Sequence, residues 1–490
     1  MKKLSAMLFR GYPNARSVRL PLLPKGGEGW GEEANIFFGN MVGSESNPLT
    51  PSLSPFGRGE GGSQLPFWLL GRALVFSWLL LISFPLRAQD SVTTLAGKAL
   101  VSGVANGNGT NASFSDPAAI VVDASGNYFI ADSRNHAIRK VTTNGVVTTF
   151  AGQLGVSGSV NGTGTGAVFN TPSGLAFDGS GNLFVSDTGN NTIRKITAAG
   201  VVSTFAGVAG GGGFLDGASG SALFNSPLGI AVWTNGNVFV ADSGNHCIRK
   251  ISGGVVSTFA GSPQVWGSAN GSGTNAQFNS PCGLKFDTKG NLFVSDANNH
   301  TIRKITTNGI VTTFAGAAGQ DGTADGDLSS ARFHSPAELA FDKRGNLFVA
   351  DSFNQTIRKI STNGIVSTVC GAAGISGAAS GTNGVGRLFN PYGLVVAADG
   401  SLVVADTYNE LVRAVIVPFK LALQLTGATH SATLSWDTVI GKKYQVQFKS
   451  DLTAAAWTNL GSLQTAIDFT LSSTDSSATG TKVYRVLLVN

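Results

Sequence analysis

Residues 182–196 read NLFVSDTGNNTIRKI, and closely similar stretches occur five more times along the chain. The other copies read NYFIADSRNHAIRKV (127–141), NVFVADSGNHCIRKI (237–251), NLFVSDANNHTIRKI (291–305), NLFVADSFNQTIRKI (346–360) and SLVVADTYNELVRAV (401–415). The aspartate of each copy follows the previous one after 54 or 55 residues. Such a fixed interval indicates a repeat architecture in which each copy forms one structural unit.

Each repeat contains four short apolar runs separated by glycine and asparagine. In the second repeat these runs are residues 174–178, 182–186, 192–196 and 201–205. Glycine and asparagine adopt the positive φ angles that tight turns between strands need. Four antiparallel strands in each of six repeats predict an all-β chain with a six-bladed β-propeller over residues 89–419.

The two ends of the array complement each other. The sixth repeat has no fourth strand, whereas SVTTLAG (91–97), before the first repeat, matches the fourth-strand sequence VTTFAG (147–152). An N-terminal strand that completes the last blade would close the ring and cover the open sheet edges. We therefore predict that the strand near residue 91 closes the propeller.

These residues resemble the NHL repeat family. The shared pattern is P-x-G-[LI]-A, then G-N-[LV]-[FY]-V-[AS]-D-[ST]-x-N, then I-R-K-[IV], over about residues 91–417, and the last repeat departs with Ser401 and Ala414. The resemblance implies a propeller that binds proteins, glycans or nucleic acid. It also includes a few enzymes, among them a zinc-dependent amidating lyase and, more distantly, calcium-dependent lactonases.

Strand alternation places the turn between the second and third strands on the same face as the long connection from the fourth strand to the next blade. Function tends to lie on loops held by a rigid scaffold, so this is the candidate binding face. Its candidate residues follow the aspartate in each repeat: Asn135, His136, Asn190, Asn191, Asn245, His246, Asn299, His300, Asn354, Gln355, Asn409 and Glu410.

A structural role competes with ligand binding for each of these motifs. The repeated Asp…Asn pair is typical of a tight turn, with Asp accepting backbone N–H groups and Asn taking a positive φ. The repeated arginines are expected to pair with carboxylates or carbonyls. His136, His246 and His300 lie in different blades, too far apart for a zinc site, and we predict no metal. Phe169, Phe224, Phe278, Phe333 and Phe389 are expected to anchor the long connections.

The N-terminal region has the features of an export signal. Arg72 precedes an apolar run over residues 73–84, and Pro85 and Leu86-Arg87-Ala88 follow it. This layout predicts a signal peptide or anchor over residues 65–88, and a secreted, periplasmic or cell-surface protein. Because signal peptides seldom begin so far into a chain, we expect the true start to lie downstream, at Met41 or at a non-Met codon, and residues 1–64 not to belong to the mature protein.

The net charge and the cysteine content argue against nucleic acid binding and against a C-x-x-C site. Nine of the 34 Lys/Arg and five of the 28 Asp/Glu precede residue 89, which leaves a net charge of about +2 beyond it. No basic cluster stands out there, so nucleic acid binding is not expected. Cys247, Cys282 and Cys370 form no C-x-x-C motif and are expected to be buried apolar residues.

Residues 420–490 alternate between apolar and polar positions in six or seven short runs. This pattern predicts a small immunoglobulin- or fibronectin-like β-sandwich, whose core anchors would be Trp436, Tyr444, Trp457 and Tyr484.

Together these observations predict an exported, monomeric, non-catalytic binding or scaffold protein whose propeller face holds a protein or glycan. No cofactor is expected, and membrane contact is expected only if the leader stays uncut. The alternative is a lactonase-like or amidating-lyase-like hydrolase or lyase with a metal at the central channel. No nucleophile elbow, P-loop or HExxH motif occurs.

Overall fold

The computed structural model describes residues 32–36, 91–382, 385–416, 421–426, 431–438, 441, 443–450, 456–468, 470–476 and 482–489. The expected leader, residues 65–88, lies outside this part of the chain. Within the described part, no helix has the length and hydropathy needed to cross a membrane.

The prediction of a six-bladed propeller is confirmed. Six antiparallel sheets follow one another along the chain, and each has its strands in the order first, second, third, fourth from the inside outward. The first strand of each blade contacts the first strands of the two neighbouring blades, so these six strands surround a central channel.

Each blade also has a fifth strand of two residues, which pairs with the outer edge of the fourth strand and was not predicted. It lies in the long connection that precedes the blade. The strands, from first to fifth, are Pro117–Val122, Tyr128–Asp132, Ala137–Val141, Val146–Ala151 and Gly107–Asn108 in blade 1; Pro172–Phe177, Leu183–Asp187, Thr192–Ile196, Val201–Ala206 and Gly162–Thr163 in blade 2; Pro227–Val232, Val238–Asp242, Cys247–Ser252, Val255–Ala260 and Gly217–Ala218 in blade 3; Pro281–Phe286, Leu292–Asp296, Thr301–Ile305, Ile310–Ala315 and Gly271–Ser272 in blade 4; Pro336–Phe341, Leu347–Asp351, Thr356–Ile360, Ile365–Gly371 and Gly326–Asp327 in blade 5; and Pro391–Val396, Leu402–Asp406, Leu411–Ile416, Ser91–Ala96 and Gly381–Thr382 in blade 6.

The N-terminal strand closes the ring as predicted. Ser91–Ala96 pairs antiparallel with Leu411–Ile416, and Val92 and Ala96 are fully buried. Its other edge pairs with Gly381–Thr382. The last blade is therefore assembled from both ends of the propeller sequence.

Short 3-10 turns lie between the strands of the propeller. Those between the second and third strands are Ser133–Asn135, Thr188–Asn190, Ser243–Asn245, Ala297–Asn299, Ser352–Asn354 and Thr407–Asn409. Others lie in the long connections, at Gly109–Asn111, Gly164–Gly166 and Gly273–Asn275.

The hydrophobic core of the propeller lies between successive blades. One cluster, for example, joins Phe184 and Ile193 of blade 2 to Ile230 and Val240 of blade 3, with Phe224 from the connection between them. Apolar side chains on both faces of each sheet are buried in this way, because a neighbouring blade covers each face.

The innermost strands pack so closely in blades 2, 3, 4 and 6 that their third residue is glycine. A Cβ placed on Gly174 would lie 2.0 Å from the carbonyl oxygen of Leu228 in the next blade, and the same holds for Gly229 and Gly393 with their neighbours. Backbone therefore packs directly on backbone around most of the central channel.

The C-terminal region forms two small antiparallel sheets. One contains Leu421–Thr426, Ser431–Asp437 and Thr470–Asp475; the other contains Lys443–Lys449, Thr458–Thr465, Val483–Val489 and an N-terminal strand, Glu32–Ile36.

Side chains from both sheets share one core, which includes Trp436, Tyr444 and Tyr484. Trp457 was expected there but is only half-buried, with the Lys449 ammonium 5.0 Å from its ring centroid. Assignment to the fibronectin or immunoglobulin class stays a prediction.

Candidate functional site

The six asparagines of the candidate binding face, Asn135, Asn190, Asn245, Asn299, Asn354 and Asn409, are buried. In blade 2, Asn190 Nδ2 donates to Asp187 Oδ2 at 2.7 Å and to the carbonyl oxygen of Gly158 at 2.7 Å. The same two bonds recur in the other blades. These amides therefore fasten the long connection to the turn.

A buried arginine completes this network in every blade. Arg194 Nη1 lies 2.8 Å from Asp187 Oδ2, and neither side chain is exposed to solvent. Asp187 Oδ1 accepts the backbone N–H of Asn170 at 2.7 Å. The predicted arginine–carboxylate pairs are thus confirmed, and in blade 6 the pair is longer, at 3.4 Å between Arg413 and Asp406.

Burial and charge oppose each other at these aspartates. In blade 1, burial raises the pKa of Asp132 to about 6, while Arg139 and two hydrogen bonds counteract the rise. The carboxylate is therefore still ionised at neutral pH, and the ion pair with Arg139 is retained.

The expectation that the asparagine itself takes a positive φ is wrong. The residue after it does so: Asn191 has a φ of 56° and ends the 3-10 turn, whereas Asn190 lies within that turn. The left-handed residues in the six blades are His136, Asn191, His246, His300, Gln355 and Glu410.

These left-handed residues share one contact, although their side chains differ. Each accepts, through a side-chain nitrogen or oxygen, the backbone N–H of the residue that precedes the first strand of the following blade. His246 Nδ1, for example, accepts the N–H of Ser280 at 3.1 Å. We call these six residues the inter-blade latches. This shared contact explains why His, Asn, Gln and Glu are all found at the latch position, since each side chain has an atom that can accept this backbone N–H.

The three histidine latches are neutral in this role. An accepting Nδ1 requires that the ring proton sits on Nε2. Burial lowers the pKa of His136, His246 and His300, which favours this neutral form. Across the residues that the structure describes, no three His, Cys, Asp or Glu side chains come together in a group that could hold a metal ion.

The aromatic anchors of the long connections are largely as expected. Phe169, Phe224, Phe278 and Phe333 are fully buried, and so is Phe114, which was missed. In blade 6 the assignment to Phe389 is wrong, because the fully buried residue at this position is Leu388. The anchor lies three residues before the first-strand proline, whereas Phe389 lies two residues before Pro391. Phe389 therefore takes the place of Asn170 and donates its backbone N–H to Asp406.

Displaced from the anchor position, Phe389 belongs to an aromatic surface feature on this face. Two facing positions, one before the first strand and one in the 3-10 turn, hold small or polar pairs such as Asn170 with Gly189 in blade 2. In blades 5 and 6 aromatic residues replace them: His334 with Phe353, and Phe389 with Tyr408. We call these four residues the aromatic rim.

A second departure from the repeat lies on the first strands, at the central channel. Where four blades have glycine, blade 5 has Glu338, and where the other blades have alanine or valine, blade 4 has Lys285. Cys282 of blade 4 and Tyr392 of blade 6 occupy a first-strand position that varies from blade to blade. We call these four residues the channel cluster. Cys282 Sγ lies 2.8 Å from the hydroxyl oxygen of Tyr392, although their blades are not adjacent.

The channel cluster has unusual protonation properties. Burial raises the pKa of Glu338 to about 7, and the positive charge of Lys285 opposes the rise. Burial likewise raises the pKa of Cys282 to about 12, so its thiol is protonated and a poor nucleophile at neutral pH. The other two cysteines, Cys247 and Cys370, are buried as expected.

Neither the aromatic rim nor the channel cluster was identified from the sequence. The available signal was the set of positions at which one repeat departs from the others, because a site needs different residues in different blades. The twelve predicted residues are those at which all six repeats carry equivalent polar groups, and their contacts hold the ring together.

Comparison with known proteins supports the repeat assignment. The NHL repeat model matches residues 114–141, 169–196 and 224–251. NHL repeat-containing protein 2 of Bos taurus is 29% identical over 338 residues, which is 61% of this chain and 46% of that protein. The chain spans less than half the length of the curated relatives it matches.

Two solved structures from Bacteroides thetaiotaomicron share the fold. A structural genomics protein of unknown function has a TM-score of 0.53 at 21% identity, with 68% of this chain and 76% of that chain covered. An auxiliary nutrient binding protein has a TM-score of 0.52 at 14% identity, with 67% and 76% covered. These likenesses concern the fold, and together with the repeat match they show that the chain carries NHL repeats arranged as a six-bladed propeller.

Proposed function

We propose that this protein is an exported, non-catalytic binding protein that holds a protein or glycan ligand on the face formed by the second-to-third strand turns. The observation that carries the proposal is the concentration of repeat departures in one sector of the ring. The aromatic rim and the channel cluster both lie in blades 4–6, whereas blades 2 and 3 keep glycine at the turn position.

The exposure of the rim also supports a binding role. Phe353 and Tyr408 are 51% and 46% exposed to solvent, whereas blades 2 and 3 have glycine at the same position of the turn. Large exposed aromatic side chains do not stabilise a propeller by themselves and are enriched at binding sites. The fold likeness to an auxiliary nutrient binding protein is compatible with this interpretation.

The binding role is tested with the full chain on glycan and peptide arrays. The rim variant Phe353→Ala/Tyr408→Ala is compared with the wild type and with the control Val201→Ala, which shortens an exposed side chain on an outer strand. Loss of two contact residues of this kind is expected to weaken binding by about tenfold or more. A rim variant that binds every array ligand as the wild type does would contradict the proposal.

Export is tested separately. The chain is expressed from Met41 with a C-terminal tag in a Gram-negative host, and the mature N-terminus is sequenced. We expect cleavage close to Ala88, and a cytoplasmic product that keeps residues 41–88 would count against export.

The channel cluster provides a specific reason to test the alternative function. The Glu338 carboxyl group, with a pKa of about 7 and an electrostatic interaction with the Tyr392 phenol, is a group that a hydrolase or lyase could use as a general acid or base. Measurement of bound metals in the purified protein distinguishes the two functions. Stoichiometric zinc or calcium would favour the enzyme.

A further inference from the structure

The two exposed rings of the aromatic rim are held in equivalent geometries. His334 packs edge-to-face on Phe353 with ring centroids 5.2 Å apart, and Phe389 packs on Tyr408 at the same 5.2 Å. In both pairs a backbone N–H of the turn residue donates to the carbonyl oxygen of its aromatic partner, at 3.1 Å. The edge-to-face contacts therefore restrict both exposed rings before a ligand binds, which lowers the entropy cost of binding.

Polar contacts link the two aromatic pairs. Gln355, two residues after Phe353, accepts the N–H of Asn390 at 2.6 Å and donates to the carbonyl oxygen of Phe353 at 3.2 Å. Asn390 directly follows Phe389 in the chain. Phe353 and Tyr408 thus each present one apolar ring, and the Gln355 amide beside Phe353 keeps a second N–H and a second oxygen lone pair for bonds to hydroxyls.

This pattern fits a sugar ring in size and chemistry. The face of an aromatic ring carries partial negative charge, and it attracts the positively polarised C–H groups on the face of a pyranose. The hydroxyls at the edge of the pyranose then bond to the neighbouring Gln355 amide. Because two successive blades each present one ring, a ligand that uses both must contain more than one sugar ring.

Other macromolecules fit the same surface less well. A protein partner buries about 800 Å² around a continuous apolar centre, whereas Gln355 and Asn390 interrupt the rim. A polyanion needs unpaired cations, but exposed Asp321 lies near His334, and Arg134 in the adjacent blade is paired with Asp116 at 2.5 Å.

We propose that the aromatic rim binds a neutral oligosaccharide, with two of its sugar rings stacked on Phe353 and Tyr408. This assignment rests on the proposed binding function and specifies its ligand class. Both platforms contribute, so the affinity for an oligosaccharide exceeds that for its monosaccharide.

The test is affinity electrophoresis of the full chain in gels that contain neutral glucan, xylan or mannan, followed by calorimetry with the matching oligosaccharides. We expect at least one polysaccharide to retard the wild type. Phe353→Ala and Tyr408→Ala should each weaken binding about tenfold, while Phe353→Tyr and Tyr408→Phe, which keep the rings, should bind within about threefold of the wild type. Val201→Ala serves as the control, and circular dichroism verifies that each variant is folded.

The outcomes separate the two proposals. If no neutral polysaccharide retards the wild type, or if Phe353→Ala/Tyr408→Ala is retarded equally, the carbohydrate assignment is overturned. A peptide ligand that is lost in the same double variant would overturn the ligand class but keep the binding face. Array binding that survives the double variant unchanged would reject the binding face as well.

Discussion

Replacement of Asp187 by asparagine tests how much the buried ion pairs contribute to the propeller. Asp187 Oδ2 accepts from Arg194 at 2.8 Å and from Asn190 at 2.7 Å, and both members of the ion pair are fully buried. Asparagine has nearly the same shape but no charge. The variant would leave the Arg194 guanidinium buried without a counter-ion.

The expected cost follows from this burial. Removal of one partner from a buried ion pair destabilises a protein by about 3–5 kcal/mol, because the remaining charge is uncompensated. The exposed pair of Arg134 and Asp116 provides the comparison, since the Arg134 side chain is 72% exposed. Arg134→Ala should cost only about 0–1 kcal/mol.

The free energy of unfolding is measured by urea denaturation, followed by far-ultraviolet circular dichroism. A third variant, Asp187→Asn/Arg194→Met, removes both charges. It should recover part of the loss, although not all of it, because Arg194 also donates to the carbonyl oxygens of Val160 and Val168. A double variant no more stable than Asp187→Asn, or a single variant as mild as Arg134→Ala, would refute the argument.

Four further predictions concern other parts of the ring. His246→Ala removes an inter-blade latch and should cost about 1–3 kcal/mol, whereas His246→Asn, which places the blade 2 latch residue in blade 3, should cost less than half as much in the same urea experiment. Gly174→Ala forces a Cβ to 2.0 Å from a carbonyl oxygen and should cost about 3 kcal/mol, while Gly179→Ala, with nothing within 4 Å of its Cβ, should change the melting temperature little. Burial raises the pKa of Glu338 to about 7, so ionisation of its carboxylate destabilises the folded state increasingly between the unfolded-state pKa near 4.5 and pH 7. Glu338→Gln should therefore be more stable than the wild type at pH 8, and this advantage should fade as the pH falls towards 4.5. Deletion of residues 91–96 exposes the edge of the last blade and should give a sharply lower melting temperature or an insoluble product; a soluble monomer that melts with the wild type would contradict the closure model.

Sequence comparison was most reliable for features that each repeat encodes locally. The predicted bounds of the four strands of blade 2 agree with the structure to within two residues. The closing strand near Ser91 is predicted because the sixth repeat lacks a fourth strand and the chain before the first repeat supplies an extra one. The arginine–aspartate pairs were also expected, because a buried guanidinium requires a carboxylate. Repetition strengthens these inferences, since six copies of the same sequence pattern fold into the same blade structure.

The sequence-based predictions were wrong by one residue at two positions next to turns. Positive φ was assigned to Asn190 instead of Asn191, because either asparagine can adopt it and only the 3-10 turn determines which one does. The sequence predicts Phe389 as an anchor, whereas its backbone N–H donates to Asp406 and the Leu388 side chain fills the core. The two-residue fifth strands carry no periodic pattern and were not foreseen.

By itself, then, the sequence determined the blade count, the strand order and the way in which the ring closes, because these depend on patterns repeated within each blade. Only the tertiary structure decided which residues meet between blades. Cys282 and Tyr392 are 110 residues apart and contact each other only because the ring brings their first strands to a common channel. The latches depend on the same closure, since Glu410 in the last blade accepts the backbone N–H of Asp116, which leads into the first. Such contacts cannot be inferred from a single repeat, because each joins two different copies of it.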